Sequence, residues 1–167
     1  MIKENIKKIL FYLFIFIFVF ALDRFSKLYI LNLAETDKVD IYINSFLNLH
    51  LIWNTGIGFG LFSSDTNFYY NLTTILIVFI NIVILIMILK SSDYNFLFLL
   101  MILGGSLGNL FDRLYYQAVP DFIDIHYGNF HWFVFNVADI FITIGVACLI
   151  IVEFIFYNKK KLNNEKI

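Results

Sequence analysis

Three observations predict an α-helical membrane protein with four transmembrane helices and a small outward-facing β-rich platform. Four apolar segments reach spanning length. Basic residues gather on one set of connections. A partly alternating apolar–polar stretch separates the first two segments. Composition agrees: of 167 residues, 60% are hydrophobic and 15% charged, whereas a soluble domain is roughly 45–50% apolar. Mean hydropathy is +0.80. A chain of this length is expected to form one unit over residues 1–167. The net charge of −1 offers no basic footprint, so nucleic acid is not an expected partner. The single Cys148 excludes an intrachain disulfide and a Cys-rich metal site.

The first span, about 9–31, follows a basic start like that of a secretory signal. It lacks a small-x-small cleavage site and runs on past Asp23 and Arg24, so it reads as retained. Residues 32–67 form an outer segment. Within it, VDIYINSFLNLHLIW places Val39, Ile41 and Ile43 on one face, then Leu47, Leu49 and Leu51, the pattern of a sheet lying on a membrane surface. TGIGFG follows, and Gly56, Gly58 and Gly60 permit a bend or a close backbone approach. No Walker or dinucleotide pattern is present.

The second span, 68–89, is nearly unbroken, and KSSDY at 90–94 predicts a tight turn. The third, 95–115, carries GGSLG, whose Gly104 and Gly108 match the small-xxx-small pattern of close helix packing. An outer segment at 116–134 precedes the fourth span, 135–157. Lys3, Lys7, Lys8, Lys90, Lys159, Lys160, Lys161 and Lys166 put eight of twelve basic residues on one side. Both termini are therefore expected in the cytoplasm, with 32–67 and 116–134 outside.

Polar residues cluster at the outward ends of the spans: Asp23, Arg24 and Lys27; Asn109, Asp112 and Arg113; Asn136 and Asp139. Asn54, Asp121 and Asp124 lie in the outer segments. Plain readings exist. Asp23 and Lys27 are spaced as an i,i+4 ion pair, Arg113 could neutralise Asp112 or reach headgroups, and Asn54 could be a turn residue. His50, His126 and His131 raise zinc, but there is no HExxH and their spacing fits no familiar site, so no metal is expected.

Asp139 is harder to dismiss. An ionisable group at mid-bilayer costs roughly 2.5–3.5 kcal/mol, so this carboxylate should be paired, protonated or working. Asp121, after the chain's only proline, Pro120, is its natural partner. Two adjacent carboxyl groups resist double ionisation. The charged one can take a proton from water while the neutral one donates to the developing oxyanion and leaving group. Two other classes remain open. An ion-coupled transporter or channel would need polar residues through the depth of the bundle, yet the second span offers only Asn81 near its middle, and the fourth has Thr143 and then little until Glu153. A non-catalytic scaffold would tie the carboxylates to Arg113 and Lys27.

Five segments in order, DRFSK at 23–27, NTGIGFGLF at 54–62, GGSLGNLFDR at 104–113, PDFID at 120–124 and FNVAD at 135–139, give the chain a resemblance. It resembles the bacterial signal peptidase II family of intramembrane aspartic proteases over nearly its whole length. The resemblance implies a peptidase domain over 1–167 in the cytoplasmic (inner) membrane, with a catalytic pair, Asp121 and Asp139, at the outer face. It implies that Asp23, Asn54, Asn109, Asp112, Arg113 and Asn136 support the pair or the substrate. The implied substrates are prolipoproteins bearing diacylglyceryl-Cys, cleaved just before that residue in contact with membrane lipid, with no cofactor. Cyclic peptide inhibitors of the family are implied ligands. Pro120 departs from the Val usual in the family, and Gly58 from Ala or Ser.

Overall fold

The computed structural model describes residues 2–36, 38–56, 67–91 and 95–164. The chain runs through α1 (Ile2–Ala34), β1 (Asp40–Asn44), β2 (Leu47–Asn54), α2 (Asn67–Lys90), α3 (Asn95–Tyr116), β3 (Val119–Tyr127), β4 (Phe130–His131) and α4 (Val137–Asn164). Four helical stretches are long and apolar enough to cross a membrane: Ile6–Ala34, Phe68–Lys90, Asn95–Tyr116 and Val137–Phe156. They coincide with the four expected spans. Gly58, Gly60 and residues 92–94 of the expected turn lie outside the described residues.

α3 is the central helix and packs against α1, α2 and α4. Its glycines explain how three neighbours fit. A Cβ at Gly105 would come within 2.7 Å of the Ala138 carbonyl oxygen on α4, and one at Gly108 would collide with the Asp23 carboxylate on α1. Gly104 faces Phe16 and Val19 of α1. The small-residue face is thus a packing device, as the spacing predicts. Away from the sheet, Ile84, Ile88, Leu99, Leu100, Ile102 and Leu103 form the apolar core of the bundle.

The strands make one antiparallel sheet in the order β1-β2-β3-β4. The β1–β2 turn is fixed by the Asn44 Oδ1, which accepts the Phe46 N–H at 2.9 Å. The β3–β4 turn is Gly128-Asn129, with Gly128 at φ 59°, a combination suited to a two-residue type II′ hairpin. Ile30 of α1, Val39 and Phe122 of β3 form a second core between helix and sheet, flanked by Leu49, Leu51 and Val137. The platform is therefore seated on the C-terminal end of α1 and the start of α4.

Two features differ from the sequence expectation. Residues 119–127, expected only as part of the outer segment 116–134, form the strand beside β2. Pro120 is tolerated because β4 pairs only with His126 and Tyr127, so the proline has β2 alone as a ladder partner, opposite Trp53. The fourth helix begins at Val137 rather than 135, because Phe135 bridges to Ile123 in the sheet.

Candidate active site

The start of α4 is a reciprocal cap. The Asn136 side-chain oxygen accepts the Asp139 N–H at 3.1 Å, and the Asp139 Oδ2 accepts the Asn136 N–H at 3.1 Å. This is a capping box with Asn at the N-cap and Asp at N3. The Ala138 N–H, another orphan of the first turn, donates to Asp23 Oδ1 at 3.1 Å. Asn and Asp near the head of an apolar helix are thereby accounted for structurally, and the box also fixes the Asp139 carboxylate. Its other oxygen accepts from Asn109 Nδ2 on α3 at 2.9 Å.

Asp121 reaches the same place from β3. The register of β2 against β3 slips between Leu49 and Ile52, an irregularity that ends with Ile52 opposite Asp121. Bulges of this kind re-aim side chains. Asp121 is 1% exposed. Asn136 Nδ2 donates to its Oδ1 at 2.6 Å and Asn54 Nδ2 to its Oδ2 at 2.9 Å. Burial, and then the nearby charge of Asp139, push the Asp121 carboxyl up to about 7, against the pull of those two donors.

Asn136 therefore touches both carboxyl groups, one through its amide nitrogen and one through its backbone N–H. Both line a cavity of about 240 Å³, together with Asn54, Asn109, Arg113 and Asn136. Ile77, Ile80 and Ile142 supply apolar wall. Asn109, Arg113, Asp139 and Ile142 come from the bundle and Asn54 and Asp121 from the sheet, so the cavity lies where the two meet. Among the described residues neither Asp121 nor Asp139 forms an ion pair. Two carboxyl groups sharing a polar pocket, one held partly protonated at neutral pH, suit water activation.

Behind Asp139 lies a buried ion cluster. Arg24 grips Asp112 through both terminal guanidinium nitrogens, at 2.5 and 2.7 Å. Lys27, fully buried, reaches Asp23 at 2.9 Å and Asp112 at 2.8 Å. It also donates to Asn109 Oδ1 at 2.6 Å. The same Asn109 then donates to Asp139, so Lys27 fixes the orientation of the amide that holds the carboxylate. Two acids and two bases balance, and their hydrogen bonds replace lost water.

All eight candidate residues are buried or line this region. Asp121, Asp139, Asn54, Asn109, Arg113 and Asn136 meet at the cavity, while Asp23 and Asp112 sit in the ion cluster behind it. Arg113 does not neutralise Asp112. Its guanidinium lies 5.7 Å from the Tyr70 ring centre and its Nη1 is 3.4 Å from the Thr55 carbonyl oxygen. Arg24 and Lys27 belong with the site more closely than their sequence suggests, since an i,i+4 spacing gave no hint of Asp112. Asn81 donates back to its own helix at Ile77, so it extends no polar path through the bundle. The histidines were expected to hold no metal, yet Asp124, His126 and His131 come together on the sheet.

A family model described as Signal peptidase (SPase) II matches residues 15–156. The lipoprotein signal peptidase of Pelagibacter ubique (strain HTCC1062) is 58% identical over 165 residues, covering 98% of each chain. That of Anaplasma marginale (strain Florida) is 37% identical over 149 residues, 86% of this chain and 84% of its own. A bacterial membrane enzyme solved by the in meso method superposes with a TM-score of 0.72 at 28% identity, covering 89% of this chain and 90% of the other. With four spans, a capped carboxylate pair and matches of this extent, the chain belongs to the signal peptidase II family, a family of bacterial membrane peptidases.

Proposed function

We propose that residues 1–167 form a single integral membrane peptidase domain that removes signal peptides from prolipoproteins bearing diacylglyceryl-Cys, cleaving before the lipidated residue. Asp121 and Asp139 are the catalytic pair. The observation that carries this is Asn136, whose one side chain and backbone N–H hold both carboxyl groups on the wall of one cavity. Near neutral pH the pair carries one proton, as the raised Asp121 value favours. The ionised partner takes a proton from water, and the water oxygen attacks the scissile carbonyl. The protonated partner gives its proton to the developing oxyanion, forming a gem-diol. The partner that took the water proton then passes it to the leaving amine as the C–N bond breaks, and a gem-diol hydroxyl returns its proton to the other carboxylate, restoring the pair. Arg113 lines the same cavity and brings its positive charge beside the pair. No metal or other cofactor enters these steps.

The pocket's position between bundle and platform suits a substrate whose acyl chains stay in lipid while its peptide meets water. The lysine bias supports cytoplasmic termini and an active site at the outer face of the inner membrane. Cyclic peptide inhibitors of the family would compete for the same pocket. The test is cleavage of a diacylglyceryl-modified prolipoprotein by the full chain reconstituted in lipid. Asp121→Asn and Asp139→Asn should each lower kcat by about a thousandfold or more, with membrane insertion unchanged. Cleavage near the wild-type rate in either variant removes that residue from the chemistry. Chelators should leave wild-type cleavage intact.

A further inference from the structure

Outside the cavity, the β3–β4 hairpin gathers a second cluster of side chains. Asp124 and His126 are two residues apart on a strand, so both leave the same face. His131 stands directly across the ladder from His126. One ligand-competent atom from each of the three lies within 4.8 Å of the others. His131 Nδ1 is 2.8 Å from Asp124 Oδ2, and the two imidazole rings stack at 5.1 Å with a 21° tilt. Two ligands of a tetrahedral ion with bonds of 2.0–2.1 Å are about 3.3 Å apart, so small side-chain movements would admit an ion.

We propose that Asp124, His126 and His131 form a binding site for a zinc-class divalent transition metal on the outer platform. An ordinary His–Asp pair would explain His131 but not His126, whose Nδ1 is buried with no hydrogen-bond partner among the described residues. A buried imidazole nitrogen without a partner is costly, and a metal bound through Nδ1 would satisfy it. Asn48 of β2, opposite Asp124 in the register, donates to the Asp124 Oδ2 at 3.3 Å and orients the carboxylate, as outer-shell groups do at metal sites. Two imidazoles and one carboxylate suit zinc with an open fourth position, and do not suit magnesium or calcium, which take oxygen ligands. None of the three residues lines the Asp121–Asp139 cavity. The ion would instead tie β4 to β3, the strand that carries Asp121. The site is independent of the proposed peptidase chemistry.

The experiment is zinc titration of the untagged full chain in lipid nanodiscs near pH 7, read by calorimetry. One ion per chain is expected at micromolar zinc, with no competition from magnesium. His126→Ala and His131→Ala should each weaken binding at least tenfold, and His50→Ala should not change it. Zinc should also raise the thermal midpoint of the wild type and not that of His131→Ala. The His131 side chain is 53% exposed, so its removal is expected to leave the circular dichroism spectrum unchanged. Absence of saturable one-to-one binding, or equal binding by the His126→Ala/His131→Ala double variant, overturns the proposal.

Discussion

Asn136 sets the surroundings of the proposed pair, because amides and not cations hold both acids. Two donors face Asp121, yet burial outweighs them and its carboxyl titrates near 7. Two consequences have definite signs. The folded-state value lies above the ordinary 3.8. The protonated group's contribution to stability is therefore fully present below the unfolded value and lost as pH rises through about 7. Thermal melts of the wild type against Asp121→Asn between pH 4 and 8 should show the wild type falling relative to the variant. Activity that needs the shared proton should likewise decline above about 7. Asn54→Ala removes a donor that lowers the Asp121 value, so the falling limb of the kcat/KM profile should move to higher pH. A limb that stays put would assign the titration to another group. The acids themselves were legible in the sequence, because a carboxylate amid apolar residues demands a reason. Lys27 as the group orienting Asn109 was not, since nothing in the spacing of residues 27 and 109 joins them.

At the level of elements, α3 positions the site by what it lacks. Gly108 leaves room for the Asp23 carboxylate, and Gly105 lets the first turn of α4 approach through the Ala138 carbonyl. Gly108→Ala should force α1 away and loosen Asp23 from the Ala138 N–H. Overpacking of this kind costs about 1–3 kcal/mol, visible as a lower midpoint in thermal unfolding in nanodiscs. An unchanged midpoint would mean the helices have slack there. The helices were readable because spans and small-residue spacing are local signals. β3 was not, for physical reasons. Val119 to Phe122 are all buried, which erases the alternation of a half-exposed strand, and Pro120 argues against a ladder unless the pairing on one side is known. One signal was present: Gly128-Asn129 between apolar and aromatic residues is a two-residue hairpin turn. That turn also brings His126 against His131, a meeting that linear spacing hides.

For the molecule as a whole, the buried cluster of Asp23, Arg24, Lys27 and Asp112 joins α1 to α3 and, through Asp23 and Asn109, to α4. It decides between a scaffold held by ion pairs and a site that uses them. Removing one partner of a buried pair leaves a charge uncompensated, at roughly 3–5 kcal/mol. Lys27→Met should therefore lose stability on that scale. Lys27→Met combined with Asp23→Asn removes one charge of each sign and leaves the two-point Arg24–Asp112 contact intact, so much of the lost stability should return. A scaffold would then be restored. A peptidase would not, because Asn109 would still lack the Lys27 donor that aims it at Asp139. Chemical unfolding of the single and double variants, set beside their cleavage rates, separates the two. Recovery of stability without recovery of kcat is the expected outcome, and parallel recovery of both would reduce the cluster to a structural tie.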